Sequence, residues 1–533
     1  MGLKAEAGAS VMAFLLLETE RMKTRIGILF LLALCMQPVV AQDAASSLGI
    51  QVKQGYHTTG RGNTDAVILC IDLSKCDPKV QATGIVFQLK GISRKEINRI
   101  KIYQTATPEF YATTDRTLLS SQKPIGQCIE TFFAPSTGYL WLTVDVKKHA
   151  TLGAQIDASL FSITYSADGV SKTVDIPSVI GDPVGEAIIF QTQSIVYAPT
   201  SDDCRYYRIP AMTLNSKGDI VVACDRRYNS NDDLGNHKID VSIRRSTNGG
   251  RSWSAQQLIA VGDTTNSDRY GYGDPSLVKT PSGRLLCTMA VGQEPFFGDM
   301  HHIALSISDD GGLTWTFPRL IEMPEWVKSI FVASGKGLTT SRGVVMFATN
   351  VITELGSNVI ENFVIRSTDD GENWEFTNGR VYRGGDESKL VELPDGNILC
   401  SIRLREARGF NLLTENGDVI RDPWRAKSLY SGNSCNADIL LTPQGLIHTY
   451  LRHPSLRRDL SLAVSDDNGS NWRKIMSLQP EDAAYSTMTL LPNGDLGILY
   501  EDGSFSSGNG YAITFLTITK KQLAKMVRQS KKK

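Results

Sequence analysis

The sequence predicts an all-β chain, a six-bladed β-propeller preceded by a small β-sandwich. Three observations carry that expectation. Gly-centred turns leading into apolar strands recur six times after residue 185, and short runs alternating at period two fill residues 47–180. A Ser-x-Asp/Asn-x-Gly-x-x-Trp pattern also recurs four times.

Residues 1–41 read as an export signal. Met22, Lys23 and Arg25 precede the eleven-residue apolar run from Ile26 to Met36, and Val39, Val40 and Ala41 follow before Gln42. This charged, apolar and small-residue order is that of a signal peptide cleaved after Ala41. Eleven residues are too few to span a bilayer. Met22 is a natural start, so residues 1–21 read as an over-long start assignment. The expected location is the periplasm, the outer surface or the medium.

Residues 42–184 read as the β-sandwich. Its strands are expected at residues 66–70, 84–89, 97–103, 139–144 and 160–165, where β-branched and aromatic residues recur at period two between Gly, Pro, Asp and Ser. The aromatics fit either a core or a sugar-binding face. The turn-rich stretch from Ile180 to Gly185 marks the boundary.

Residues 185–533 carry the repeats. The turn glycines are Gly218, Gly283, Gly343, Gly396, Gly445 and Gly494, in steps of 65, 60, 53, 49 and 49 residues. A period near fifty with several strands per unit is that of radial blades, and closing a ring covers the strand edges that separate hairpins would expose. The second pattern spans Ser246 to Trp253, Ser308 to Trp315, Ser367 to Trp374 and Ser465 to Trp472. It reads as a hairpin turn in which Asp or Asn bonds the local backbone, Gly takes positive φ and Trp packs over the turn. These carboxylates are therefore read as structural, and the spacing is not that of an EF-hand.

Composition narrows the function. The 533 residues hold 56 Lys plus Arg against 56 Asp plus Glu, which argues against a chain built mainly for nucleic acid or an anionic membrane surface. Nine cysteines are too few for a disulfide scaffold, and seven histidines without an H-E-x-x-H motif point away from a metal enzyme. No metal or cofactor is expected.

The four turns, together with Tyr207-Arg208-Ile209-Pro210, resemble the Asp-boxes and Arg-Ile-Pro motif of the sialidase (neuraminidase) family, specifically secreted bacterial exo-α-sialidases. The resemblance covers roughly residues 185–527. It implies three arginines that hold a sialic acid carboxylate: Arg208, Arg403 in Ser401-Ile-Arg403-Leu, and Arg457 in Arg457-Arg458-Asp459-Leu460, with Arg458 as the alternative. Guanidinium groups suit this task because they bind carboxylates through charged, often bidentate hydrogen bonds. The same resemblance makes Tyr485 the nucleophile and Glu387 its general base. A phenol suits an anomeric carbon that bears a carboxylate, since a carboxylate nucleophile would be repelled. It needs the base because free phenol titrates near pH 10.

The resemblance further implies an acid/base at Asp232, with Asp233 as the alternative, in the loop after Asp225 and Arg226. Arg226 is implied to touch the sugar's ring substituents, and Asp274, in Tyr272-Gly-Asp274-Pro, is either a binding residue or a turn former. The implied activity is retaining hydrolysis of terminal sialic acids from glycoproteins, glycolipids or oligosaccharides. A trans-sialidase and a non-catalytic sialic-acid lectin are the alternatives. The Tyr485 and Glu387 pair distinguishes an enzyme from a lectin, and transfer to lactose distinguishes the two enzymes.

Overall fold

The computed structural model describes residues 45, 48–90, 93–126, 128–228, 231, 234, 237–266, 270–292, 302–430, 434–504 and 510–532. The export-signal segment lies outside the described residues. So do Asp232 and Asp233.

The chain is all-β. In the front region, one sheet has the order Gln51–Gln54, Ala66–Asp72, Tyr139–Val146, Ile97–Thr105, Thr117–Gln122. The other runs Thr58–Gly60, Ala187–Phe190, Gln155–Ala167, Gln81–Lys90, Cys128–Ser136, with Val170–Asp175 paired to Gln155–Ala167. Each of the five expected strands is present and longer than its apolar run. Alternation, with a register shift beside Ile68 and another between Leu160 and Ser162, puts Ile68, Ile71, Ile102, Leu142 and Val144 of one sheet and Ile85, Phe87, Leu160 and Ile163 of the other into a single core. The sheet passes the expected boundary at Gly185, because Ala187–Phe190 pairs with Thr58–Gly60 and Gln155–Ala167.

One cluster of the front region's aromatics faces the second region, while Phe132 and Phe161 stay exposed, 63% and 41%. Trp141 is fully buried and donates to Thr105 Oγ1 at 2.8 Å. It packs with Tyr56, Phe110 and, from the second region, Ala512. These rings are therefore core at the seam between the regions, with their faces covered.

In the second region the strands form antiparallel groups. Tyr206–Leu214, Ile220–Arg227, Ile239–Ser246 and Gln257–Ala260 make one group, and Gly271–Lys279, Leu285–Gly292, His302–Ser308 and Arg319–Leu320 another. A third is built on Val345–Ile352 and Glu361–Ser367, and a fourth on Ser388–Glu392, Ile398–Ile402, Ala407–Leu413 and Val419–Tyr430. The last sheet has seven strands, ordered Thr192–Tyr197, Ala512–Ile518, Leu496–Asp502, Arg473–Leu490, Arg458–Ser465, Gly445–Leu451, Ile439–Thr442. Its 18-residue strand Arg473–Leu490 pairs with Arg458–Ser465 through its first half and with Leu496–Asp502 through its second. The first strand of the region thus pairs with the last.

Each of the six turn glycines joins two antiparallel strands within one group, and all six have positive φ, from +80° to +113°. A side chain at Gly218 would place Cβ 2.5 Å from Pro492 Cγ, so both the backbone angle and the space demand glycine there. The four Trp turns are built as expected. Asp369 Oδ1 accepts from Ser367 Oγ at 2.8 Å and from Asn373 N at 2.9 Å, and Trp374 Nε1 donates to Gly371 O at 3.1 Å. Asp467 and Trp472 repeat the arrangement on Ser465, Asn471 and Gly469.

The sequence reading passed over the 11-residue helix Lys520–Ser530 and the short helical turns Ser93–Glu96 and Ser178–Gly181. Thr519 and Gln522 form a capping box, and Leu523 and Val527, four residues apart, bury one face against the last sheet. Among the described residues no helix is long and apolar enough to cross a membrane.

Candidate active site

The functional side chains come from strand ends and irregularities. Arg208 lies on Tyr206–Leu214, where pairing slips between Arg208 and Ala211. Glu387 immediately precedes Ser388–Glu392, Arg403 follows Ile398–Ile402, and Arg457 precedes Arg458–Ser465. Tyr485 sits where Arg473–Leu490 slips between Ala483 and Ser486. Such slips break the alternation of a strand and re-aim side chains. Ile209 has φ +59°, costly for a β-branched residue by about 1–3 kcal/mol, and this strain sits between Arg208 and Pro210.

The structure brings Tyr485, Glu387, Arg208, Arg403 and Arg457 together. The Tyr485 hydroxyl donates to Glu387 Oε2 at 2.8 Å, and Arg403 Nη1 donates to Tyr485 Oη at 2.8 Å and also to Glu387 Oε2. The guanidinium carbons of Arg208, Arg457 and Arg403 lie 5.7, 5.6 and 6.0 Å from the Tyr485 ring centre. Glu387 and Tyr485 are buried, 3% and 6% exposed. Three cations thus surround one phenol whose proton is already shared with a carboxylate. Such a group can bind an anion and pass the phenol proton to the carboxylate as the oxygen forms a bond.

Electrostatics follow from burial. Desolvation alone would lower the Arg403 pKa, but Tyr485, Glu387 and Asp386 outweigh it and hold the guanidinium well above its usual range. Arg457 is also raised, by Cys435 first and, against the cost of burial, by Tyr485. Burial pushes the Asp386 carboxyl up, opposed by Arg403, whose Nε lies 3.2 Å from Asp386 Oδ2.

Arg457 and Arg458 are separated by geometry. Arg457 faces Tyr485 and donates to Ser434 O at 3.3 Å, whereas Arg458 turns away to Glu481 and to Asp482, 2.9 Å from its Nε. Arg226 sits one register step from Arg208, since Tyr207 pairs with Arg226 and Arg208 with Asp225. Its guanidinium stacks 4.7 Å over the Tyr228 ring and bonds Tyr228 Oη and Asp202 O. The Asp274 N–H donates to Asp225 Oδ1 at 2.9 Å, and its φ of +53° matches the slip of its strand between Gly273 and Ser276. Asp232 and Asp233, the two acid/base candidates, lie outside the described residues.

Sequence reasoning missed the residues that align this group. Glu501 is fully buried and accepts from Arg208 Nε at 2.7 Å, Ile209 N at 2.8 Å and Tyr485 N at 2.9 Å. It therefore ties both irregular strands together. Ser434 holds two arginines, accepting from Arg403 Nε at 3.0 Å through Oγ and from Arg457 through its carbonyl. Ser334 Oγ and Asn436 Nδ2 donate to Glu387 Oε1 at 3.1 and 3.4 Å. The only available signal was a Glu closing the apolar run Leu496 to Tyr500, since a carboxylate at such a place needs a partner.

Comparison with known proteins bears on the family and the fold. Residues 235–498 match the BNR repeat-like domain. A sialidase of Micromonospora viridifaciens is 30% identical over 336 residues, 56% of this chain and 50% of its own length, so the chain spans half of that relative. A sialidase of Bacteroides fragilis is 26% identical over 401 residues, covering 69% of this chain and 71% of its own. Among solved structures, the Hadza microbial sialidase Hz136 shares the fold with a TM-score of 0.65 at 19% identity, over 88% of this chain and 99% of its own. Repeat, relatives and fold converge on one assignment: this chain belongs to the sialidase family.

Proposed function

We propose that this protein is a retaining exo-α-sialidase acting on sialylated glycans. The observation that carries the reading is the Tyr485 hydroxyl donating to Glu387 at 2.8 Å amid three guanidinium groups. Arg208, Arg403 and Arg457 take the substrate carboxylate, and Arg226 and Asp274, on neighbouring strands, take other groups of the sugar. Tyr485 Oη bonds to the anomeric carbon as its proton passes to Glu387. Asp232, or Asp233, gives a proton to the departing glycosidic oxygen. Next, the same aspartate takes a proton from water, the water oxygen displaces Tyr485, and Glu387 returns the phenol proton. Two inversions leave the α configuration retained. The Tyr nucleophile departs from the usual two-carboxylate rule of glycosidases. It lets a neutral group approach a carbon beside a negative charge.

The architecture we infer is a six-bladed propeller behind a front β-sandwich. Six repeated hairpins, the shared strand Arg473–Leu490 and the pairing of first strand with last support the ring. A cavity of about 290 Å³ lined by Thr213, Val278, Leu338, Leu390, Leu440 and Met488, one residue from each hairpin, fits its axis. Export through residues 1–41 belongs to the same proposal.

The test is hydrolysis of a fluorogenic sialoside by Tyr485→Phe. Turnover is expected to fall by about a thousandfold or more with the melting curve unchanged. Near-normal turnover would refute the mechanism. Excess lactose in the wild-type assay separates hydrolysis, which yields free sialic acid, from transfer, which yields sialyllactose.

A further inference from the structure

Behind Glu387 lies a buried cation that the reaction scheme above leaves without a role. Lys389 is two residues from Glu387, and alternation along extended chain sends both side chains to the same side. It is 1% exposed, and its Nζ donates to Asn436 Oδ1 at 2.9 Å. Among the described residues it forms no ion pair, whereas nearby Lys336 sits 2.9 Å from Asp438. An ammonium ion buried without a touching carboxylate is costly, and burial pulls the Lys389 pKa down to about 8 against the opposing fields of Glu387 and Asp438.

The hydrogen bonds run from this cation to the base. Asn436 turns its oxygen to Lys389 and its Nδ2 to Ser334 Oγ at 3.0 Å and Glu387 Oε1 at 3.4 Å. Ser334 Oγ donates to the same Oε1 at 3.1 Å. The other oxygen, Oε2, receives Tyr485 and Arg403. Gly335, at φ +111°, lies over the lysine stem, and a Cβ there would come within 3.1 Å of Lys389 Cε. The backbone is therefore shaped around the lysine.

We propose that Lys389 is a positioning residue: a buried cation that acts through Asn436 and Ser334 to hold Glu387 as the ionised acceptor of the Tyr485 proton. The proposal rests on the sialidase reading above. Other charges face the same carboxylate. Arg403 and Asp386 stand on the Oε2 side, and beyond Tyr485 lie Arg208, Arg457 and Glu501. Arg408, fully buried, is bound to Ser401 and the Cys435 carbonyl, and burial keeps His448 and the Cys435 thiol neutral. Lys336 is paired with Asp438. Lys389 is thus the cation joined to Oε1 by hydrogen bonds.

The test compares pH profiles of kcat/KM and melting curves of the wild type, Lys389→Met and Lys389→Arg on a fluorogenic sialoside. Removing the charge is expected to move the acidic limb of Lys389→Met upward by about one pH unit and to lower kcat more than it raises KM. Its melting temperature should not fall, since an apolar chain replaces an unpaired buried cation. Lys389→Arg should keep the wild-type limb. Should Lys389→Met not fold, Lys389→Gln, which retains a donor for Asn436 without charge, carries the same expectation. An acidic limb unmoved in the uncharged variant overturns the proposal, as does a limb displaced equally in Lys389→Arg. A wild type that releases no sialic acid overturns the sialidase reading and this proposal with it. Normal wild-type turnover with an unmoved limb overturns this proposal alone.

Discussion

Glu501→Gln tests how the site is held, because the change keeps the shape of the side chain and removes its charge. The carboxylate accepts Arg208 Nε at 2.7 Å, Ile209 N at 2.8 Å and Tyr485 N at 2.9 Å, with Arg208 Nη2 at 3.4 Å. Glutamine offers one oxygen, so its amide NH2 must face at least one of these donors. Leaving a buried N–H unsatisfied costs about 1–3 kcal/mol, and removing one partner of a buried ion pair costs about 3–5 kcal/mol in all. The pair is buried, with the Arg208 side chain 9% exposed and that of Glu501 fully covered, but the glutamine oxygen still accepts one Arg208 donor, which favours the lower end, about 3 kcal/mol. For a unit of this size that corresponds to a fall in Tm of about 3–4 °C. Tyr485 and the carboxylate-binding Arg208 also lose their common anchor, and a displacement near 1 Å costs on the order of a hundredfold in kcat/KM. Scanning fluorimetry and steady-state hydrolysis measure both effects. Wild-type stability together with wild-type kcat/KM would show that Glu501 does not align the site.

Two further perturbations separate other readings. Arg457→Lys should raise KM about tenfold by losing the guanidinium fork, whereas Arg458→Lys should change it little, its partners Glu481 and Asp482 being at the surface; the reverse pattern in steady-state kinetics would give the role to Arg458. The turn carboxylates predict acid sensitivity. Backbone and side-chain bonds from Asn373 hold Asp369 at about 2, and at Asp310 the cost of desolvation is outweighed by Thr314, again giving about 2. Both folded pKa values lie below the unfolded value, so their stabilisation is full above about pH 4 and lost as the pH falls toward 2. Thermal melts between pH 7 and 2 should decline in that window, and less steeply for Asp369→Asn.

Legibility in the sequence followed the range of the interaction. Gly218, Gly283 and their counterparts were readable because the constraint is local: a tight turn needs positive φ, and one residue type supplies it cheaply. The Trp turns were legible for the same reason. Tyr485, Glu387 and the arginines were found through motif resemblance, and the fold then brought them together. Glu501 and Ser434 were not legible, because each acts on residues distant in the chain that only strand pairing makes neighbours. The choice between Arg457 and Arg458 also had to wait. A one-residue shift in a strand reverses the side-chain direction, and the slip beside Asp459 is invisible before pairing is known. Tyr56, Phe110 and Trp141 fitted either a core or a sugar platform until Ala512 was seen against them.

The pairing of Thr192–Tyr197 with Ala512–Ile518 sets an order of assembly. Almost the whole second region separates these strands, so the contact carries a large loop-closure cost and forms late. A chain emerging from its N-terminus can complete local hairpins one by one, but the strand bearing Glu501 is held between Arg473–Leu490 and Ala512–Ile518, the last strand made. Until then nothing aligns Arg208 with Tyr485. A nascent or C-terminally truncated chain therefore holds most of its antiparallel groups while Arg208 and Tyr485 stay unaligned, so loss of the final strand should disable a site whose residues are all still present.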